Sequence, residues 1–373
     1  MSKRSMLKMG MVMSAVLATS FAKPAAADDA YVTMAKAYVA KATAPVTVWD
    51  GPTTGPKAVG HKVVIFVSAD QRNGGLLGVS EGAEQASKII GWDLRIIDGQ
   101  GTVSGRASAL TQAIASKPDA IILGSVDAKE QASLIAQAAA AGIKIVSWHA
   151  GPTPGKIAGS PIFTNVTTDP AEIGKAAGLY AVAASNGHAN VILFTDSIYA
   201  IATTKTDAEK AAIEGCAGCS VLAVEDTPLG AVSERMPQLT TALIEKYGSK
   251  WTYSIGINDL YFDFMAPSLA AAGIPGNGDP HNISAGDGSE AAFNRIRNQH
   301  YQIATVAEPL YLDGWQLIDE LNRDFAGQPP SGYHTPVHIF TRNDIDSDGG
   351  QKDIYDPADG YQAAYEKIWG VKH

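Results

Sequence analysis

Carboxylates, amides and a few flat rings stand directly behind a series of short apolar runs, and together they could grip one small polar solute. Ser68, Asp70, Gln71, Arg72 and Asn73 follow the first run, Asp127 follows the third, and Trp148 and His149 end the fourth. Later come Asp196, Ser197 and Tyr199, then Asn258, Asp259 and Tyr261, then Asp287, then Glu308. Carboxylates accept from vicinal hydroxyls, amides give and take, and an aromatic face stacks on C–H bonds. Such a set suits a polyhydroxylated ligand. The excess of acids at Asp70, Asp259, Asp287 and Glu308 would equally suit a cationic or amine-bearing one. Catalysis is not expected: there is no G-x-S-x-G elbow, no phosphate-cradling loop and no G-x-G-x-x-G behind the first run. Gly74, Gly75 and Gly78 have the wrong spacing for the last of these. No catalytic residue, cofactor or metal centre is therefore assigned.

These residues matter only if something gathers them. Apolar, β-branched runs of strand length fall at 62–68, 94–98, 120–126, 143–149 and 191–196, then at 221–225, 252–258, 282–286 and 301–307. Helical periodicity fills the gaps, as at 81–90, 107–116, 130–141 and 172–184. Strands alternating with helices imply parallel sheets buried on both faces. So many strands exceed one ordinary sheet, and the Gly/Pro-rich stretch 151–155 marks the break. Two α/β lobes are expected, rather than one closed barrel. The first takes 61–161 and 309–336, and the second takes 162–308 and 337–345. Residues 28–60 are read as an N-terminal extension and 346–373 as a C-terminal tail. In open parallel sheets ligands sit beyond the carboxyl ends of the strands, where the polar set stands.

Composition narrows the setting. The 373 residues carry 29 Lys+Arg against 38 Asp+Glu, a net −9 that argues against nucleic acid or an anionic membrane as partner. The hydrophobic share of 46% is enough for a core. Lys3, Arg4 and Lys8 precede a short apolar stretch ending near Phe21, and Ala25-Ala26-Ala27 offers small residues for cleavage. Residues 1–27 read as a secretory signal, and no later run reaches transmembrane length. In an oxidising compartment Cys216 and Cys219 read as a small disulfide clip, ahead of a redox or metal site. Asp344, Asp346 and Asp348 resemble the start of a calcium loop, but Tyr355 fills the position where a bidentate Glu is expected. An acidic turn is the preferred reading.

Several local motifs then resemble one family, the periplasmic binding proteins of the ribose and galactose type (type I, cluster B). They are Val67-Ser68-Ala69-Asp70, Lys117-Pro118-Asp119-Ala120, Ile257-Asn258-Asp259, Ala285-Gly286-Asp287-Gly288 and Ala304-Thr305-Val306-Ala307-Glu308. Their order covers 61 to about 341. The resemblance implies two Rossmann-like lobes joined by a three-segment hinge, and a monomer that hands its solute to the permease and ATPase of an importer. Carried over by position, it implies ligand contacts from Ser68, Asp70, Gln71, Asn73, Tyr199, Lys205, Asn258, Asp259, Asp287 and Glu308. Where many sugar binders have Asp-Arg after the fourth strand, this chain has Trp148-His149-Ala150. Both rings join the candidate set, although in a regular strand they would point to opposite faces. Asp287 could instead cap the helix beginning near Ser289, and Asn258-Asp259 could be a turn and cap. A ligand-sensing regulator of the same build would need a DNA-binding motif where the signal segment stands.

Overall fold

The computed structural model describes residues 25–371. The signal segment read at 1–27 thus lies outside them, save for its last three residues. Two sheets organise the chain. The first contains β1 (Val63–Ser68), β2 (Asp93–Asp98), β3 (Ala120–Gly124), β4 (Lys144–Trp148) and β5 (Asn165–Val166), in the spatial order β2-β1-β3-β4-β5, all parallel. The second contains β6 (Asn190–Thr195), β7 (Ser220–Asp226), β8 (Tyr253–Gly256), β9 (His281–Ser284), β10 (Ala304–Ala307) and β11 (His338–Thr341), in the order β11-β10-β9-β8-β6-β7. Only β11 runs antiparallel to its neighbour. The central strands β1, β3 and β4 are buried on both faces, which their unbroken apolar runs anticipate.

Helices cover both faces: α1 (Ala25–Ala42), α2 (Gly74–Ile90), α3 (Val103–Ala115), α4 (Ala132–Ala140), α5 (Pro170–Ala184), α6 (Ala200–Glu214), α7 (Val232–Tyr247), α8 (Leu260–Ala271), α9 (Glu290–Arg297), α10 (Leu310–Phe325) and α11 (Tyr361–Trp369). Asn73 caps α2, its side chain accepting from the N–H groups of Gly75 and Leu76. The helix therefore starts a full two turns before the 81 expected from periodicity. The Gly74-Gly75 opening hides it in the sequence, and the close approach explains the glycine. A Cβ on Gly75 would lie 2.3 Å from Asp287 Oδ2, across the gap in the other lobe.

The boundaries need correction in three places. β5 pairs with β4, so the first sheet extends to Val166 and the first crossing between sheets falls at 167–168, not at 161. The sheets are further joined at 308–309 and at 334–337. The extension is not a unit: α1 packs in the second-lobe core, with Tyr31 donating to the Ala212 carbonyl at 2.8 Å, whereas Trp49 packs on Tyr333 and Tyr365 of the first. The tail divides likewise. Tyr355 sits with Phe293 and Phe340 in the second lobe, and Tyr361, Tyr365 and Trp369 sit in the core of the first. The flanks thus add two crossings to the three of the hinge.

Cys216 and Cys219 are bonded, closing the turn between α6 and β7. The acidic loop does not converge. Asp344 accepts from Thr341 N and Oγ1, Asp346 pairs with Arg297, and Asp348 accepts from Val46 N with both oxygens. Among the described residues no helix is long and apolar enough to cross a membrane.

Candidate functional site

Strand ends and helix starts of both lobes face each other across a cleft of about 660 Å³, open mouth included. The first lobe contributes Asp70, Asn73, Leu76, Ser125 and His149 to its walls. The second contributes Tyr199, Ile201, Lys205, Leu229, Ile257, Asn258, Leu260 and Asp287. Seven of the twelve residues expected at the site are therefore gathered here: Asp70, Asn73, His149, Tyr199, Lys205, Asn258 and Asp287.

The floor is a compact, charged knot. Asn258 Nδ2 donates to Asp287 Oδ2 at 2.7 Å, and Lys205 Nζ lies 3.8 Å from Asp287 Oδ1. His149 Nε2 lies 2.8 Å from Glu308 Oε1, and Glu308 Oε2 accepts from Thr168 N at 3.0 Å. Burial drives the Asp287 carboxyl above its ordinary range, against the pull of Lys205 and His149. For Glu308 burial pushes the same way, but the His149 charge and contact, aided by Lys205, hold it below the usual carboxylate value. Three of these groups, His149, Asp287 and Glu308, stand close enough together to suggest a metal. The Lys205 ammonium beside Asp287 already supplies the positive charge there, so the donor set does not favour one.

Five expected residues do not line the cleft. Ser68 is buried beneath it at the end of β1, and Gln71 lies in the loop that follows, its main-chain N–H held by Asp98. Trp148 turns into the first-lobe core and donates to Asp313 Oδ2 at 3.1 Å. His149 escapes the strand's alternation because its φ is +58°, which folds its ring against Trp148 at 3.5 Å between centroids and presents it to the cleft. Asp259 is consumed as a brace: one oxygen accepts from Gln302 and Thr305, the other from the N–H groups of Gly288 and Ser289. It thereby caps the approach to α9, whose own cap is Ser289 rather than Asp287. Glu308 is fully buried at the base of that knot, off the cleft wall, and ties His149 to the crossing at Thr168. That crossing meets the third through Thr168 Oγ1 and Thr335 Oγ1, 2.5 Å apart.

Two residues escaped the sequence reading. Arg106, buried on α3, forks onto Glu130 through Nε and Nη2 and donates from Nη1 to the Tyr199 hydroxyl at 2.9 Å. The contact crosses from one lobe to the other. An arginine in the first turn of a helix gives no sign of this in a sequence, since its partner lies 93 positions away. The other is Glu209, one turn beyond Lys205 and fully buried, with neither oxygen hydrogen-bonded. Burial pushes it up to about 8, tempered by Lys205.

Residues 63–329 match the family model of the periplasmic binding protein domain. The chain belongs to that family. Periplasmic binding proteins hold solutes without transforming them, and this one is accordingly a binding protein and not an enzyme. Its fold is shared by solved structures of low identity. A solute-binding protein from Agrobacterium vitis bound with α-D-tagatopyranose superposes with a TM-score of 0.69 at 16% identity, covering 79% of this chain and 99% of that one. GanP, a glucose-galactose binding protein from Geobacillus stearothermophilus, gives 0.67 at 19% identity over 77% of this chain and 100% of its own. A second A. vitis solute-binding protein, with bound allitol, gives 0.64 at 19% over 78% and 97%. No curated protein matches by sequence.

Proposed function

We propose that this periplasmic binding protein is the receptor of an ABC importer, exported by its leader, and that it captures a neutral polyhydroxylated ligand between its lobes. The pairing of charge carries the choice of ligand. Each acid that could have drawn a cation is already answered. Asp70 is forked by Arg72, Asp259 is used by amide, hydroxyl and backbone donors, Asp287 faces Lys205 and Asn258, and Glu308 faces His149. A cationic ligand would have to displace a partner or leave Lys205 unanswered in a buried place, which costs several kcal/mol. A neutral polyol needs neither. The tagatose and allitol bound in two proteins of the same fold support the same class.

Residues from both lobes line one cleft and already touch across it through Arg106 and Tyr199, so ligand contacts would favour closure about the crossings. The permease and ATPase would meet the two rims when they are brought together, and the protein would act as a monomer. A thermal-shift screen of the purified chain against sugars, polyols and small amines tests the reading. A ligand present at a hundred times its Kd adds about 2.7 kcal/mol of stability. Shifts confined to sugars or polyols support the proposal, and shifts confined to amines replace it with the cationic reading.

A further inference from the structure

The cleft divides its chemistry unevenly. Four of its polar side chains, His149, Lys205, Asn258 and Asp287, gather in one charged knot. Lys205 is buried, and its ammonium reaches Asp287 only at 3.8 Å, beyond hydrogen-bonding distance, so its protons are open to a ligand oxygen. Three further polar wall groups have partners of their own, the Tyr199 hydroxyl in Arg106, the Asn73 side-chain oxygen in the start of α2 and the Asp70 carboxylate in Arg72, and Ser125 adds a hydroxyl from the first lobe.

Apart from Tyr199 and small residues, the rest of the second-lobe wall is aliphatic. Ile201, Leu229 and Leu260 come from the starts of three second-lobe helical segments, and Ile257 from the end of β8. All but Ile201 belong to one packed cluster. Leu76 joins the wall from the first lobe. A fully hydroxylated sugar ring is apolar on its faces and polar around its whole edge. Flat aromatic plates suit its faces, whereas aliphatic groups would press on edge hydroxyls and leave them without partners. Among the described residues, Tyr199 and His149 are the only rings on the wall.

We infer that the ligand is a partly deoxygenated polyol or sugar, with hydroxyls gathered on one side and a methyl or methylene group on the other. This rests on the sugar-and-polyol reading above and narrows it. The hydroxyl side meets Lys205, Asn258, Asp287 and His149, and the deoxygenated side meets Leu229, Ile257 and Leu260.

Calorimetry on the full mature chain tests this with pairs that differ by one oxygen: D-fucose against D-galactose, L-rhamnose against L-mannose, and 2-deoxyribose against ribose. The deoxygenated member of at least one pair is expected to bind roughly 10- to 100-fold tighter. Leu260→Asn, with Leu229→Asn as a second variant should the first fail to fold, is expected to shrink that gap about tenfold. The inference is overturned if the hydroxylated parents bind as tightly or tighter in every pair. It is equally overturned if other polyols shift the protein and no member of these pairs binds; in both cases the sugar-and-polyol reading survives. If the wider screen yields only amines, that reading falls and takes this one with it.

Discussion

Two groups of carboxylates in this molecule look alike in sequence and behave in opposite ways. Asp344, Asp346 and Asp348 are spaced two apart in one loop, yet each turns to a different partner: a threonine, an arginine and a backbone amide. Asp287 and Glu308 are 21 positions apart and arrive on different strand ends, yet they meet the same His149 and Lys205. Only Asp344 finds its partner in the local turn, while Asp346 and Asp348 are drawn apart to Arg297 and Val46 on distant parts of the chain. Convergence of separate strand ends created a shared environment for the second. A recognition site is built by the sheet, and a run of acids alone does not make one.

The comparison can be pressed at several points. The largest effect should come from Glu209, a buried acid that belongs to neither group and has no partner. Its folded pKa near 8 lies above its ordinary value of 4.5, so the folded state keeps a proton that the unfolded state releases. Stability should therefore fall as pH rises from about 4.5 to 8, by roughly 3–5 kcal/mol. Denaturant titrations of the wild type and of Glu209→Gln across that range would check this, the variant lacking the decline. A flat wild-type profile would mean that Glu209 has a partner after all. Glu308 works in the opposite sense: its lowered pKa contributes stability that is lost on acidification.

Next comes Asp287→Ala, which should weaken ligand binding about 100-fold, as expected when a buried polar site loses a partner for both ligand and lysine. Retained affinity in calorimetry would dissolve the contrast between the two groups. Asp344→Ala should leave affinity alone and lower stability by about 1 kcal/mol through the lost Thr341 contacts, measurable by urea unfolding. The smallest effect is a null: millimolar calcium should not move the melting temperature, because the loop's carboxylates already face separate partners. A clear rise would show that the loop can regroup around an ion.

The order of elements was legible because parallel strands buried on both faces leave continuous apolar runs. What the sequence hid was short, local or tertiary. β5 has two residues, and β11 is a brief antiparallel edge. The first turns of α2 were masked by glycines that exist for the sake of the opposite lobe. The site was legible at the level of strand ends, but direction was not. Asn258 and Asp259 are neighbours, and only geometry assigns one to the cleft and the other to the brace beneath α9. Likewise a positive φ at His149, which no propensity announces, turns its ring to the cleft while Trp148 enters the core.

The five crossings between the halves set the kind of motion the molecule can make. Sliding, or twisting about the long axis, would stretch the flanking pair that passes near Trp49 and Asp356 as well as the three segments between the sheets. Bending about the crossings strains them least. The protein is a book with a broad spine, and the importer proposed above would sense the angle between its covers.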